Sequence, residues 1–94
     1  MYRLAFAILS LLVFSTAAHA LGQDDNLAAW EKASASERAA LAKLLVSNFP
    51  KPGGREKTFA DTRFLINCLL DLARNGGEKE TVKSAATACW ESLK

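Results

Sequence analysis

The sequence predicts an all-α fold: a small bundle of three to four helices with a C-terminal antiparallel helical hairpin tied by one disulfide. Three observations carry that expectation. Apolar residues recur at helical spacings of three, four and seven over most of the chain after residue 26, and no useful length alternates as a strand does. Capping residues and Pro/Gly breaks fall where helices of ordinary length would start and stop. Cys68 and Cys89 lie on apolar faces on either side of a Gly76-Gly77 turn.

The chain has 94 residues, room for one small domain, and its first 20 read as a cleavable signal peptide. Met1 and Arg3 give a short positive end, residues 4–14 are apolar apart from Ser10, and residues 15–20 are mostly small. Ala18 and Ala20 form the A-x-A pattern that a signal peptidase accepts, which places cleavage after Ala20. The apolar run is shorter than the roughly 20 residues of a membrane-spanning helix, so no stable anchor is expected after cleavage. No cysteine follows the run for lipid attachment and no paired arginines precede it, which favours the general secretory route. The expected destination is the periplasm, with the extracellular medium as the alternative. Residues 21–94 then form the working domain.

Within that domain, residues 21–25 read as a loose lead-in. Asp24, Asp25 or Asn26 caps a short first helix that carries Leu27, Ala28, Ala29 and Trp30 and gives out near residues 32–34. Ser34 and Glu37 have the form of a capping box for a second helix, with Leu41, Leu45 and Phe49 on one face. Pro50 stops that helix, because the residue before a proline is pushed out of helical geometry. Two prolines and two glycines make residues 48–57 a surface loop.

Thr58, with Asp61 three residues on, caps a third helix from Phe59 to about Arg74. Leu65, Leu69 and Leu72 form one stripe on it, Phe64 and Cys68 widen that stripe, and Ile66, Leu70 and Ala73 add another side. So wide a stripe implies burial on more than one face, hence a central position. Asn75, Gly76 and Gly77 end it. The last helix is expected from about Glu78 to Leu93, with Val82, Ala85, Ala86, Cys89 and Leu93 on one face and Trp90 beside them. With the turn centred on the two glycines, the cysteines are axially offset by about 6 Å. A bridge then requires the last helix to start late, near Glu80, or the helices to tilt. An even cysteine count in an exported chain reads as a disulfide, because the compartment oxidises thiols.

The formal charge of +2 falls to about +1 once Arg3 leaves with the signal. A domain so nearly neutral lacks the clustered Lys and Arg that bind nucleic acid, and no segment has the basic face of a membrane-surface helix. Loss of His19 with the signal leaves no histidine, which removes the commonest general base and metal ligand. No phosphate loop follows Gly53-Gly54 or Gly76-Gly77. Asp61 and Asp71 point in different directions from one helix, so Asp61 reads as a cap and Asp71 as a partner of Arg74. Neither a catalytic residue, a metal nor a cofactor is therefore expected.

Candidate contacts for a partner protein are Trp30, on a helix with little else to bury, and the loop cations Lys51, Arg55 and Lys57, which suit an acidic surface. The function expected from these features is non-enzymatic protein contact, as in an inhibitor, an immunity protein or a periplasmic chaperone. An accessory subunit of an envelope complex, a secreted effector and a carrier of a small apolar ligand are the other classes the sequence leaves open.

Overall fold

The computed structural model describes residues 20–93, so the apolar segment up to His19 lies outside the described residues. Four α-helices follow in order: α1 Leu27–Lys32, α2 Ala35–Asn48, α3 Phe59–Arg74 and α4 Val82–Glu91, with one 3₁₀ turn at Pro52–Gly54 in the loop between α2 and α3. Each of the other three helices makes its principal packing against α3. The chain is a small all-α bundle.

Local chemistry sets the helix starts. Of the three cap candidates for α1, Asn26 is the one used, its Oδ1 accepting from the Ala29 amide at 3.0 Å. The Ser34–Glu37 box forms in both directions: the Glu37 amide donates to Ser34 Oγ and the Ser34 amide to Glu37 Oε1, each at 3.1 Å. At α3 the Thr58 amide donates to Asp61 Oδ2 at 2.8 Å. Asn75 closes α3, Gly76 takes a φ of 98°, and the Gly77 amide returns to the Leu72 carbonyl at 2.8 Å. That is a Schellman-type ending, and only residues without a Cβ fit it here: a Cβ on Gly77 would stand 2.8 Å from the Leu72 oxygen.

The last helix departs from expectation. It begins at Val82, capped by the Thr81 side chain, and not at Glu78. The intervening residues pair instead with the N-terminal lead-in, which is consequently not loose. Leu27 and Ala28 donate to the carbonyls of Glu80 and Glu78, at 2.8 and 3.1 Å, and Val82 and Lys83 donate to Asp25 and Gln23, at 2.8 and 2.9 Å. An isolated antiparallel bridge joins Asn26 and Thr81. These backbone groups are satisfied across the chain, so they are not free to extend α4 backwards.

The late start also aligns the cysteines. Cys89 lies seven residues into α4 and Cys68 six from the end of α3, each about 10 Å along its helix from the turn. Their Cα atoms are 6.2 Å apart and the Cys68–Cys89 disulfide is formed.

The core is one cluster built on Leu65, Leu69 and Ala73 of α3, with Leu27 and Trp30 from α1, Leu41, Ala42, Leu45 and Val46 from α2, and Val82, Ala85, Ala86 and Trp90 from α4. Leu72, expected in the central stripe, is 37% exposed at the edge of the α3–α4 turn, and Ala73 takes the buried place. Trp30, expected as a surface anchor, is fully buried. The short α1 helix buries it because α1 lies on α3 and because the Arg38 guanidinium closes α1's C-terminal end, with Nη1 donating to the carbonyls of Trp30, Glu31 and Ala33.

The two tryptophans differ in polar satisfaction. Trp90 Nε1 donates to the Pro50 carbonyl at 2.9 Å, and its ring stacks on Phe49 with centroids 5.1 Å apart. Trp30 Nε1 is buried without a hydrogen-bond partner among the described residues. A buried unsatisfied donor costs about 1–3 kcal/mol, a penalty that phenylalanine would not carry. Trp30→Phe is therefore expected to destabilise less than Trp90→Phe by about 1 kcal/mol or more, read from urea midpoints of the two variants. Equal losses would refute that ordering.

The disulfide closes a segment of 21 residues, which constrains the unfolded chain by about 3 kcal/mol. A domain this small rarely draws more than about 3–5 kcal/mol from its core. Reduction, or Cys68→Ser with Cys89→Ser, is expected to lower Tm by at least about 10 °C or to unfold the domain. Calorimetry with and without excess reductant checks this, and an unchanged transition would contradict it.

Candidate functional site

The chain between α2 and α3, together with the first turns of α3, forms a corner in which charge and exposed aromatic surface meet. Its construction begins with Asp61. That carboxylate is almost wholly buried yet fully engaged: Arg55 Nη1 and Nη2 approach Oδ2 and Oδ1 at 2.9 and 2.7 Å, and the Thr58 amide donates to Oδ2. The Arg55 pair, followed by the Thr58 amide, holds the Asp61 pKa down to about 2 from the usual 3.8. The same fork fixes the loop against the start of α3, because a bidentate guanidinium–carboxylate pair is directional as well as strong.

The other loop cations are also engaged. Lys51 Nζ pairs with Glu56 Oε2 at 2.7 Å, both side chains being exposed. Lys57 Nζ donates to the carbonyls of Val46, Ser47 and Phe49, at 2.9, 3.3 and 2.6 Å. Those are the open carbonyls at the end of α2, where a cation also meets the negative end of the helix dipole. Lys57 is thus a helix cap, and the expectation of three loop cations held ready for an acidic partner narrows to Lys51 and Arg55, whose side chains remain about half exposed.

Two residues not singled out by the sequence complete the corner. Phe59, the first residue of α3, is 71% exposed, and the Arg63 guanidinium lies 5.5 Å from its ring centroid. An aromatic four residues before an arginine on a helix is a legible signal. What hid it is that Phe59 sits where the apolar pattern of α3 begins, so it reads as core. Among the described residues, Leu44 on α2, at 58%, and Leu72, at the α3–α4 turn, are the other large exposed apolar side chains.

A cleft of about 390 Å³ lies beside the α3–α4 turn, lined by Leu72, Asn75, Gly76, Gly77, Glu80 and residues of α4 that include Ala85 and Ala88. A shallower notch of about 240 Å³ lies between the lead-in, α1 and the start of α2. Among the described residues, no group of three or more His, Cys, Asp or Glu is placed to hold a metal ion, and no helix is long and apolar enough to cross a membrane. Asp71 does not pair with Arg74 as expected; Arg74 Nε reaches Glu31 Oε2 on α1 at 3.5 Å, because α1 lies across α3 within reach of the longer side chain.

No protein-family model, curated protein or solved structure matches this chain.

The depressed Asp61 pKa gives an acid-stability prediction. A carboxylate held below its unfolded value stabilises the fold above about pH 3.8, and that contribution is lost as pH falls towards about 2. Asp61→Asn is expected to cost about 1–3 kcal/mol at neutral pH and to flatten the pH dependence of stability between about pH 4 and 2. Urea midpoints of both proteins across that range test it, and parallel curves would count against the Arg55–Asp61 fork as the source.

Proposed function

We propose that this chain is exported by the general secretory route, trimmed after Ala20, and works as a non-enzymatic binding module of the inhibitor, immunity-protein or chaperone kind. It docks through the loop–α3 corner onto an acidic protein surface that offers Phe59 an apolar pocket. The observation that carries this reading is the exposure of Phe59 beneath the Arg63 guanidinium. Burying a phenylalanine contributes about 1.5–3 kcal/mol, and this fold leaves that contribution unused. Aromatic and arginine side chains are also the residue types that dominate interface energetics. Arg63 supplies the positive charge over the ring, Lys51 and Arg55 carrying theirs in pairs with Glu56 and Asp61, and that arginine favours an acidic partner.

The formed disulfide is compatible with an oxidising compartment, as export requires. A role as an accessory subunit of an envelope complex, or as a secreted effector, would use the same corner. The carrier reading draws on the cleft beside Leu72, whose size is near the lower end for small-ligand sites. Its walls include Glu80, Ser84 and Asn75, and an apolar guest would strip water from them without replacing their hydrogen bonds. Protein contact is therefore preferred.

A photo-reactive phenylalanine analogue in place of Phe59, in cells exporting the full chain, is expected to crosslink one discrete partner. The same analogue at Lys79, an exposed residue in the α3–α4 connection at the other end of α3, should not. Adding Arg63→Glu should remove the crosslink while Tm changes by less than about 3 °C, since Arg63 is a surface residue. Equal labelling from both positions, or none from either, would discard this docking corner.

A further inference from the structure

The folded domain begins at the bond proposed for cleavage. Leu21 packs against the core cluster, and the next residue is pinned: the Gly22 amide donates to Asp25 Oδ2 at 2.8 Å, while the Asp25 amide returns to the Gly22 carbonyl at 3.1 Å. Standard bond lengths keep consecutive backbone nitrogens within about 3.7 Å, so the Leu21 nitrogen lies no farther than about 6.5 Å from Asp25 Oδ2. The same residues line the notch of about 240 Å³, with Ala29 and Lys32 of α1, Ala33, and Glu37 of α2 on its other sides.

Hydrolysis of the Ala20–Leu21 amide adds one water, leaving a carboxylate on Ala20 and a protonated amine on Leu21. We propose that this notch is the seat of the mature N-terminus, in which the new Leu21 ammonium pairs with the Asp25 carboxylate and faces Glu37 across the opening. The occupant is fixed by the chain itself, because the Leu21 side chain and the Gly22 amide hold its nitrogen at the rim. The uncleaved chain has a neutral amide there, so cleavage adds an ion pair to a domain that is already folded around it. An opposite charge at this range favours the charged amine. The charged residues on the surrounding elements are Asp24 and Asp25 in the turn, Lys32 on α1, Glu37 and Arg38 on α2, the latter bonded to the Ala33 carbonyl, and Lys83, whose amide bonds Gln23. Lys32 and Arg38 oppose the pairing and the two lining carboxylates favour it.

This inference rests on the export reading for its N-terminus, and the two are tested separately. Intact mass of the natural protein tests export alone: a chain that does not begin at Leu21 removes that reading. The seat is tested on protein prepared to begin at Leu21, with the amine free or acetylated, each with and without Asp25→Asn. Acetylation is expected to lower Tm by about 2–5 °C in the native sequence and by less than half as much in the Asp25→Asn protein. Nuclear magnetic resonance of ¹³C-labelled Leu21 should give an amine pKa above the ordinary range of about 7.7–8.0. Because that pKa is raised on folding, the free-amine advantage is full below about pH 7.7 and fades as pH rises through the folded value. Equal melting of free and acetylated forms, an acetylation loss that Asp25→Asn leaves unchanged, or an unshifted amine pKa would each overturn the seat.

Discussion

Helix α3 is the wall on which the rest of the molecule is assembled. Leu65, Leu69 and Ala73 offer one continuous apolar stripe, and α1, α2 and α4 are each too short or too narrowly apolar to bury themselves elsewhere. Isolated helices of this length are marginal in water, so their persistence depends on that shared surface. The Cys68–Cys89 bridge then fastens α4 to α3 covalently, and Trp90 carries the connection onward by stacking on Phe49 and bonding Pro50 at the end of α2. A fold this small has few independent contacts, and these link three helices in series.

Much of the positive charge serves the ends of helices. Arg38 closes the carbonyls of α1, and Lys57 those of α2. Arg55 is locked onto the cap of α3, and Arg74 ties α3 to α1 through Glu31. Cations that look available in the sequence are committed by geometry, because an exposed loop brings its long side chains within reach of unsatisfied carbonyls nearby. The proposed docking corner is defined by what stays exposed there: Phe59 under Arg63, at the start of the helix whose preceding loop holds Lys51 and Arg55 in pairs with Glu56 and Asp61.

The N-terminal lead-in binds the domain at the opposite side from the corner's chemistry. Its backbone pairs with residues 78–83, which shortens α4, sets Cys89 level with Cys68 and leaves Leu21 lining a notch shared with Asp25, Lys32 and Glu37. One stretch of backbone pairing thus determines the register of the disulfide and the surroundings of the proposed mature terminus.

The helical class, the two capping boxes, the Pro50 stop and the Gly76-Gly77 ending were legible in the residues, since each depends on chemistry within a few positions of itself. The pairing of Cys68 with Cys89 was legible too, because only two cysteines exist. Burial of Trp30, the cap made by Lys57, the exposure of Phe59 and the late start of α4 were decided only by the tertiary structure. Each depends on a neighbour far along the chain: α3 beneath Trp30, the carbonyls of α2 above Lys57, and residues 23–28 beside the turn. Periodicity tells which face of a helix is apolar. It does not tell which part of that face another element will reach, and at Phe59 none does among the described residues.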